Sequence, residues 1–212
     1  MNHSETLPVI DRASFRTPIP EIYEAARFLD AAVSAHLLGR HDLADALIRL
    51  ADMPVIRDYT ESLWGSGSPH VQFRTIHDAP PSLARQDRVQ TRMPTTAEKT
   101  LLHHRDGYHC RFCSMPVIRA ETRSRIQRSY PDALPWERKN SEQHAAFQCM
   151  WLQYDHILPH ARGGGNDLSN VVITCAPCNY ARMNYTLAEC GLADPLSRQP
   201  IQSPWDGLER FQ

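Results

Sequence analysis

The sequence predicts an α+β protein in which a small helical N-terminal region precedes a strand–loop–strand–helix unit. Three observations support this fold class. Apolar residues recur at helical spacing between positions 20 and 64, and short runs rich in β-branched residues flank a glycine-rich loop between 150 and 175. In addition, two Cys-x-x-Cys pairs stand on either side of a long insert, which predicts a metal site that ties the second unit together.

The composition changes along the chain predict four segments. We expect a helical region over residues 1–64 and a linker over 65–97, where glycine, serine and proline occur without periodicity. The metal-site unit should cover 98–190, with an insert at 114–149, and residues 191–212 should form a tail.

Three short helices are expected in the first segment. The first begins at Pro20, which suits the first position of a helix, and should end at Gly39. A second begins at His41, and a third runs from Pro54 to about Trp64. No cluster of titratable groups stands out here, so the pattern favours a packing scaffold.

The remaining elements follow from caps and short apolar runs. Thr95 with Glu98 three residues later predicts a capped helix to about Asp106, and the insert should carry a helix near 119–130. Strands are expected at 150–157 and 170–174, followed by one helix from 177 to about 189. Residues 71–73 are compatible with a further short strand.

The overall composition excludes several classes. No run of about 18 apolar residues occurs, and the start of the chain lacks a basic stretch followed by an apolar core, so we expect a cytoplasmic protein without a membrane span. The net charge of −1 is uninformative, but residues 111–128 carry five arginines against one acid. That run fits either a phosphate-backbone groove or a solvated helix face.

The two cysteine pairs have the spacing of a closed tetrahedral zinc site. Four thiolates leave no open coordination position, so this zinc would be structural. Two local disulfides or free thiols are the alternatives. The remaining cysteines, Cys149 and Cys190, are expected to be small buried apolar residues. The proposed ligands are Cys110, Cys113, Cys175 and Cys178.

A second candidate site surrounds Asp155-His156. A neutral imidazole can take a proton from water, and a carboxylate suits a hard divalent cation. Asn179, directly after Cys178, is positioned by the cysteine pair and could complete the cation site. Since adjacent strand residues point to opposite faces, Asp155 and His156 can share a site only if the strand bends or ends there.

Three neighbouring basic residues are candidates for phosphate binding. Arg162 and Arg182 flank the site, although Arg182 also suits an exposed helix position. His160 fits a phosphate contact, a place in the metal site or a surface loop equally well. The Gly163–Gly165 run is expected to give the backbone freedom beside the catalytic strand.

Together these motifs resemble the HNH endonucleases of the ββα-metal clan. The resemblance covers roughly residues 100–187. It lies in Asp155-His156-Ile157-Leu158-Pro159, a glycine loop, Asn170-Val171-Val172, Cys175-Ala176-Pro177-Cys178-Asn179 and the upstream Arg105-Asp106-Gly107-Tyr108-His109-Cys110-Arg111-Phe112-Cys113. The residue at the family's final histidine position is Asn179.

The resemblance implies metal-dependent hydrolysis of DNA, with RNA not excluded as a substrate. His156 would be the general base, and Asn170 would be the family's central asparagine. Asp155 and Asn179 would hold one Mg²⁺ or another divalent cation. Two further interpretations remain open: a zinc-stabilised nucleic-acid-binding module without catalysis, and a nuclease effector or toxin whose residues 1–95 bind a protein partner.

Overall fold

The computed structural model describes residues 11–64 and 67–212. Within these residues, ten helices and strands form the α+β architecture that the sequence predicts. The helices are Pro20–Leu37 (α1), His41–Leu50 (α2), Pro54–Glu61 (α3), Thr96–Asp106 (α4), Ala120–Ser129 (α5), Ala145–Cys149 (α6), Ala176–Arg182 (α7) and Leu187–Cys190 (α8), and the strands are Leu152–His156 (β1) and Val171–Cys175 (β2).

The first two helices pack against each other as a hairpin. Proline at the first position begins α1, and Gly39, at φ +72°, turns the chain into α2. Glycine reaches this left-handed region without the steric penalty of a side chain. Helix α3 is shorter than expected: it ends at Glu61, and the chain continues as a turn to Trp64.

Polar contacts join the helical region to the insert. The buried ring of His144 lies 2.9 Å (Nε2) from the Ile48 carbonyl, and the backbone N–H of Ala145 donates to Asp52 at 2.6 Å. Apolar side chains from α1, α2, α5 and α6 form one continuous buried cluster with those of the strand pair. The helical region therefore supports the insert, and through it the β-hairpin.

The two strands form an antiparallel hairpin with Tyr154 opposite Ile173. Every residue of β2 is buried, whereas Gln153 and Tyr154 of β1 are partly exposed. The prediction of a single helix after β2 is wrong, because two helices follow the strand. Helix α7 ends at Arg182, Met183 takes a positive φ of +51°, and a second capping box at Thr186 starts α8.

Residues 67–95 contain no strand, so the expected strand at 71–73 does not form. Instead, side-chain and backbone contacts hold this segment against the strand–helix unit. The Phe73 ring stacks on Tyr185 with centroids 3.7 Å apart, and the Arg74 N–H donates to the Glu189 carbonyl at 2.7 Å. Residues 79–93, which we call the strap, continue across the end of the hairpin.

Four of the five arginines of residues 111–128 make internal contacts, and Arg128 is exposed. Arg111 is buried beside Asp106, and the guanidinium of Arg123 lies 3.6 Å from the ring centroid of Trp136. Arg119 and Arg125 both pair with Glu209 of the tail. These partners argue against an open phosphate groove along this helix.

The C-terminal tail packs onto the molecule through two buried apolar side chains, Leu208 and Phe211. Arg210 pairs with Asp30 of α1 at 2.7 Å, and the Trp205 indole donates to the Val117 carbonyl. Among the residues described, no helix is long and apolar enough to cross a membrane.

Candidate active site

The four predicted thiols converge in the interior. The Sγ atoms of Cys110, Cys113, Cys175 and Cys178 all lie within 4.8 Å of one another, and all four residues are buried. All six cysteines are free, so the disulfide alternative is excluded. Four convergent thiols on two knuckles are a donor set that fits a divalent metal such as zinc.

The other two cysteines behave as the sequence predicts. Cys149 and Cys190 are buried away from the four-thiol cluster. Burial raises the pKa of each thiol to about 12, so both remain neutral thiols at physiological pH.

Asp155 and His156 line the same cavity, which has a volume of about 710 Å³. Both residues are still paired with β2, opposite Val172 and Val171, and they are the last two residues of β1. The chain then turns at Leu158, whose N–H donates to the Asn170 side chain at 2.8 Å. The cavity lies at the end of the strand, where side chains of both residues contribute to its lining.

Asn170 fixes this turn from the other strand. Its side chain accepts from the Leu158 N–H and donates to the carbonyls of Leu158 and Gly165, at 3.2 and 2.8 Å. At Gly164, a Cβ atom would overlap the Leu158 carbonyl. Asn170 is therefore a positioning residue that holds the loop after His156, and Gly164 allows the close backbone approach.

His156 is oriented by Asn166, a residue that the sequence reasoning missed. The Asn166 amide group donates to the Thr91 carbonyl at 2.9 Å, so its oxygen faces His156 Nε2, also at 2.9 Å. Nε2 must then carry the proton, and Nδ1 keeps the lone pair. Burial lowers the pKa of His156 below its ordinary value, although the Asn166 contact opposes the shift, so the ring is neutral near pH 7.

Arg182 is a second correction to the sequence interpretation. It is 1% exposed, and its guanidinium makes five hydrogen bonds, to both oxygens of Asp155 and to the carbonyls of His156, Ile157 and Tyr185. A guanidinium has five N–H donors, so none remains for a phosphate. Arg182 is neither an exposed helix residue nor a free phosphate ligand. It holds the Asp155 carboxylate.

Asn179 lines the same cavity from α7. It follows Cys178 directly, so the four-thiol cluster fixes its backbone. Its half-buried side chain makes no hydrogen bond with any residue in 11–64 or 67–212. The amide oxygen of Asn179 is therefore free to bind a ligand in the cavity, whereas both Asp155 oxygens already accept from Arg182.

The other two predicted phosphate ligands contact protein groups. Arg162 donates to the carbonyls of Asn184 and Pro80 and pairs with Glu189 at 3.0 Å. His160 lines the cavity, and its Nε2 lies 2.7 Å from the Val89 carbonyl. Arg162 is thus committed to the scaffold, while His160 keeps one ring nitrogen for the cavity.

The strap forms the opposite wall of the cavity. It contributes three arginines, Arg85, Arg88 and Arg92, which form no ion pair with a carboxylate in the described part of the chain. Arg85 and Arg92 are exposed. The sequence predicts a linker for this segment. The spacing Arg-x-x-Arg-x-x-x-Arg is the available signal that the segment is basic and could bind phosphate.

Backbone contacts attach the strap to the loop after β1. Leu83 donates to the Ala161 carbonyl at 2.8 Å, and the carbonyls of Pro80, Val89 and Thr91 accept from the loop side chains described above. The three arginines are therefore held beside the Asp155-His156 pair.

One family model, described as HNH endonuclease, matches residues 146–189. No curated protein and no solved structure matches the chain. The matched segment contains β1, the glycine loop, β2, α7 and most of α8, and with them Asp155, His156, Asn170 and Asn179. It indicates nuclease activity and a nucleic-acid substrate in general terms. The similarity to HNH endonucleases is therefore carried by residues 146–189.

Proposed function

We propose that the protein is a metal-dependent endonuclease that hydrolyses phosphodiester bonds of DNA. The observation that carries this proposal is the composition of one cavity. Asp155, His156 and Asn179 line one side, and three arginines without acidic partners line the other. This arrangement offers a base, oxygen ligands for a cation, and positive charge for a phosphate backbone.

His156 acts as the general base. Its Nδ1 lone pair accepts a proton from the attacking water, because Nε2 is engaged with Asn166. Burial favours the neutral ring, so the base is competent at physiological pH. The imidazolium formed in this step is stabilised by the Asn166 oxygen, which accepts from Nε2.

Asp155 and Asn179 are the residues that would hold a divalent cation such as Mg²⁺. Both line the cavity beside His156, and the Asn179 amide has no protein partner among the described residues. Carboxylate and amide oxygens are suitable ligands for a hard cation. When bound, such a cation would stabilise negative charge on the phosphate and the leaving oxygen. Arg182 orients the Asp155 carboxylate for this role.

The strap arginines bind the phosphates that flank the scissile bond. Arginine forms paired hydrogen bonds with phosphate oxygens, and here the guanidinium groups have no competing carboxylate. They take the role that the sequence reasoning gave to Arg162 and Arg182. The four cysteines hold a structural zinc that fixes the start of α7, and so the backbone of Asn179.

The direct test is cleavage of plasmid DNA with Mg²⁺, Mn²⁺ or EDTA by the wild-type protein and by His156→Ala. Loss of the general base should lower the cleavage rate on the order of 10²–10⁴-fold, while the melting temperature and the thiol-bound metal stay unchanged. His104→Ala, an exposed histidine on α4, is the matched control and should cleave normally. Equal cleavage by wild type and His156→Ala would refute the assignment.

One observation favours a second candidate, a zinc-stabilised nucleic-acid-binding module without catalysis. Both oxygens of Asp155 accept from Arg182, which competes with a cation for the same carboxylate. DNA binding by the wild-type protein without cleavage under any metal condition would favour this candidate. An RNA substrate in the same assay tests the other nucleic acid.

A further inference from the structure

A second cavity, of about 250 Å³, opens beside α7 and the start of β1. Its walls combine three aromatic and three amide side chains: Trp64, Trp151, Tyr180, Asn140, Gln143 and Gln148. None of these residues has a part in the nuclease mechanism proposed above. Aromatic faces with amide groups between them match the chemistry of a nucleobase, which has a flat ring and a hydrogen-bonding edge.

The aromatic side chains are held by the protein and remain accessible. The Trp151 ring packs edge-on against Trp136, with centroids 5.8 Å apart, and the Arg123 guanidinium lies 5.3 Å from its centroid. Tyr180 meets Trp64 edge-to-face at 5.8 Å and is 41% exposed. A flat ligand can therefore stack on Tyr180 without displacing core residues.

Gln148 adds a polar group without a protein partner. It is 2% exposed, and its Nε2 donates to the Asn140 carbonyl and to the Gln143 side chain, at 3.3 and 3.1 Å. Its Oε1 atom is buried and accepts from no described residue. Because a buried acceptor without a donor is unfavourable, this oxygen points to a ligand that supplies an N–H group.

The two cavities are lined by neighbouring residues of the same two elements, α7 and the start of β1. Tyr180 follows Asn179 on α7, so their Cα atoms are about 3.8 Å apart. Trp151 precedes Gln153 by two residues, and Gln153 lines the catalytic cavity. A nucleotide strand that crosses the catalytic cavity can therefore reach the second cavity within a short length.

We infer that this second cavity binds one unstacked nucleobase of the substrate, with the ring on Tyr180 and its exocyclic amino group donating to Gln148 Oε1. This inference rests on the proposed nuclease function and deepens it. It predicts a substrate with an accessible base, either in a single strand or at an unpaired position in a duplex. A base with an amino group is favoured over thymine.

The test measures binding without divalent cations, so that cleavage does not interfere. The probes are a single-stranded oligonucleotide of defined sequence and an abasic strand of equal length and charge. The wild-type protein should bind the strand with bases more tightly. Tyr180→Ala should reduce this preference about 5- to 100-fold, in line with the loss of one base–aromatic stack. Tyr23→Ala, an exposed tyrosine outside both cavities, is the matched control.

A second variant tests the polar contact. Gln148→Met should abolish the preference for cytosine or adenine over thymine and leave binding of the abasic strand unchanged. Duplexes with and without one bulged base distinguish an unpaired position from a single strand. An unchanged base preference in Tyr180→Ala, or equal binding of both strands by the wild type, would overturn the inference. Base-dependent binding without cleavage would instead refute only the nuclease function.

Discussion

The four-thiol cluster and the candidate catalytic cavity both include residues of α7, but they differ in burial and in openness. The thiols are buried and lie within 4.8 Å of one another, so a metal held there would have a closed, protein-only shell. The cavity measures about 710 Å³ and is lined largely by polar and charged side chains, among them His156, Asn179 and Arg85. The first arrangement suits a structural metal, and the second has room for a substrate.

Asp155 shares one property with each site: it is buried like the thiols, and it lines the cavity. It is 6% exposed, like a structural residue, and yet it lines the open cavity. Its ion pair with Arg182 compensates the cost of burying a carboxylate. Helix α7 therefore carries the candidate metal ligand Cys178 near its start, the candidate catalytic ligand Asn179 in its middle and, at its end, Arg182, which holds the Asp155 carboxylate.

The largest effect should come from opening the thiol site. We expect Cys175→Ser to lose the bound metal and the cooperative thermal transition, because metal binding to such sites contributes on the order of 10 kcal/mol to folding. Metal content by mass spectrometry and thermal unfolding are the measurements. Cys190→Ala, a buried cysteine outside the cluster, should keep the metal. A full metal complement in Cys175→Ser would contradict the four-thiol assignment.

A smaller loss of stability should follow from removing the clamp, which is the buried ion pair between Arg182 and Asp155. Arg182→Met leaves the Asp155 carboxylate buried and unpaired, which should lower the free energy of unfolding by about 3–5 kcal/mol. Chemical denaturation measures this change. Arg49→Met removes a largely exposed ion pair with Asp45 and should cause a clearly smaller loss of stability. Similar losses in both variants would remove the distinction between the clamp and a surface ion pair.

The smallest effect per residue, and one on nucleic-acid binding only, should come from replacing the strap arginines. Replacing Arg85, Arg88 and Arg92 by glutamine removes three phosphate contacts and leaves the backbone contacts of the strap in place. We expect weaker nucleic-acid binding and a slope of log affinity against log salt that is smaller by about two to three, with no change in stability. Titrations at several salt concentrations provide the slope.

The matched control for the strap is the triple replacement of Arg27, Arg40 and Arg128, three exposed arginines outside the catalytic cavity that form no ion pair with any described residue. It removes the same formal charge from another surface. An equal change in the salt dependence of both triple variants would indicate a general charge effect and no specific role for the strap.

The sequence predicted the elements better than the contacts between them. The capping box at Thr95, the proline at the start of α1 and the cysteine pairs each act through neighbouring residues, so their outcomes agree with the structure. The helix break at Met183 was missed because the apolar pattern continues through it. A second capping box, Thr186 with Glu189, was the available signal.

The wrong or missing role predictions for site residues have one cause, which is that each role depends on partners distant in the sequence. Whether an arginine is free to bind phosphate depends on which acceptors the fold brings to it, and Asp155 lies 27 positions before Arg182. In the same way, the role of Asn166 depends on a carbonyl 75 positions away. Neither partner is visible in local spacing. The three strap arginines were overlooked because their segment lacks periodic structure.

The strap touches the loop of His156 through backbone carbonyls, those of Val89 and Thr91. A peptide carbonyl is the same whichever side chain the residue bears. The strap's side chains can therefore be exchanged to suit another nucleic acid while the imidazole keeps its tautomer. Substrate preference and proton transfer thus become properties that can change separately, because the strap's side chains serve the first and its backbone serves the second.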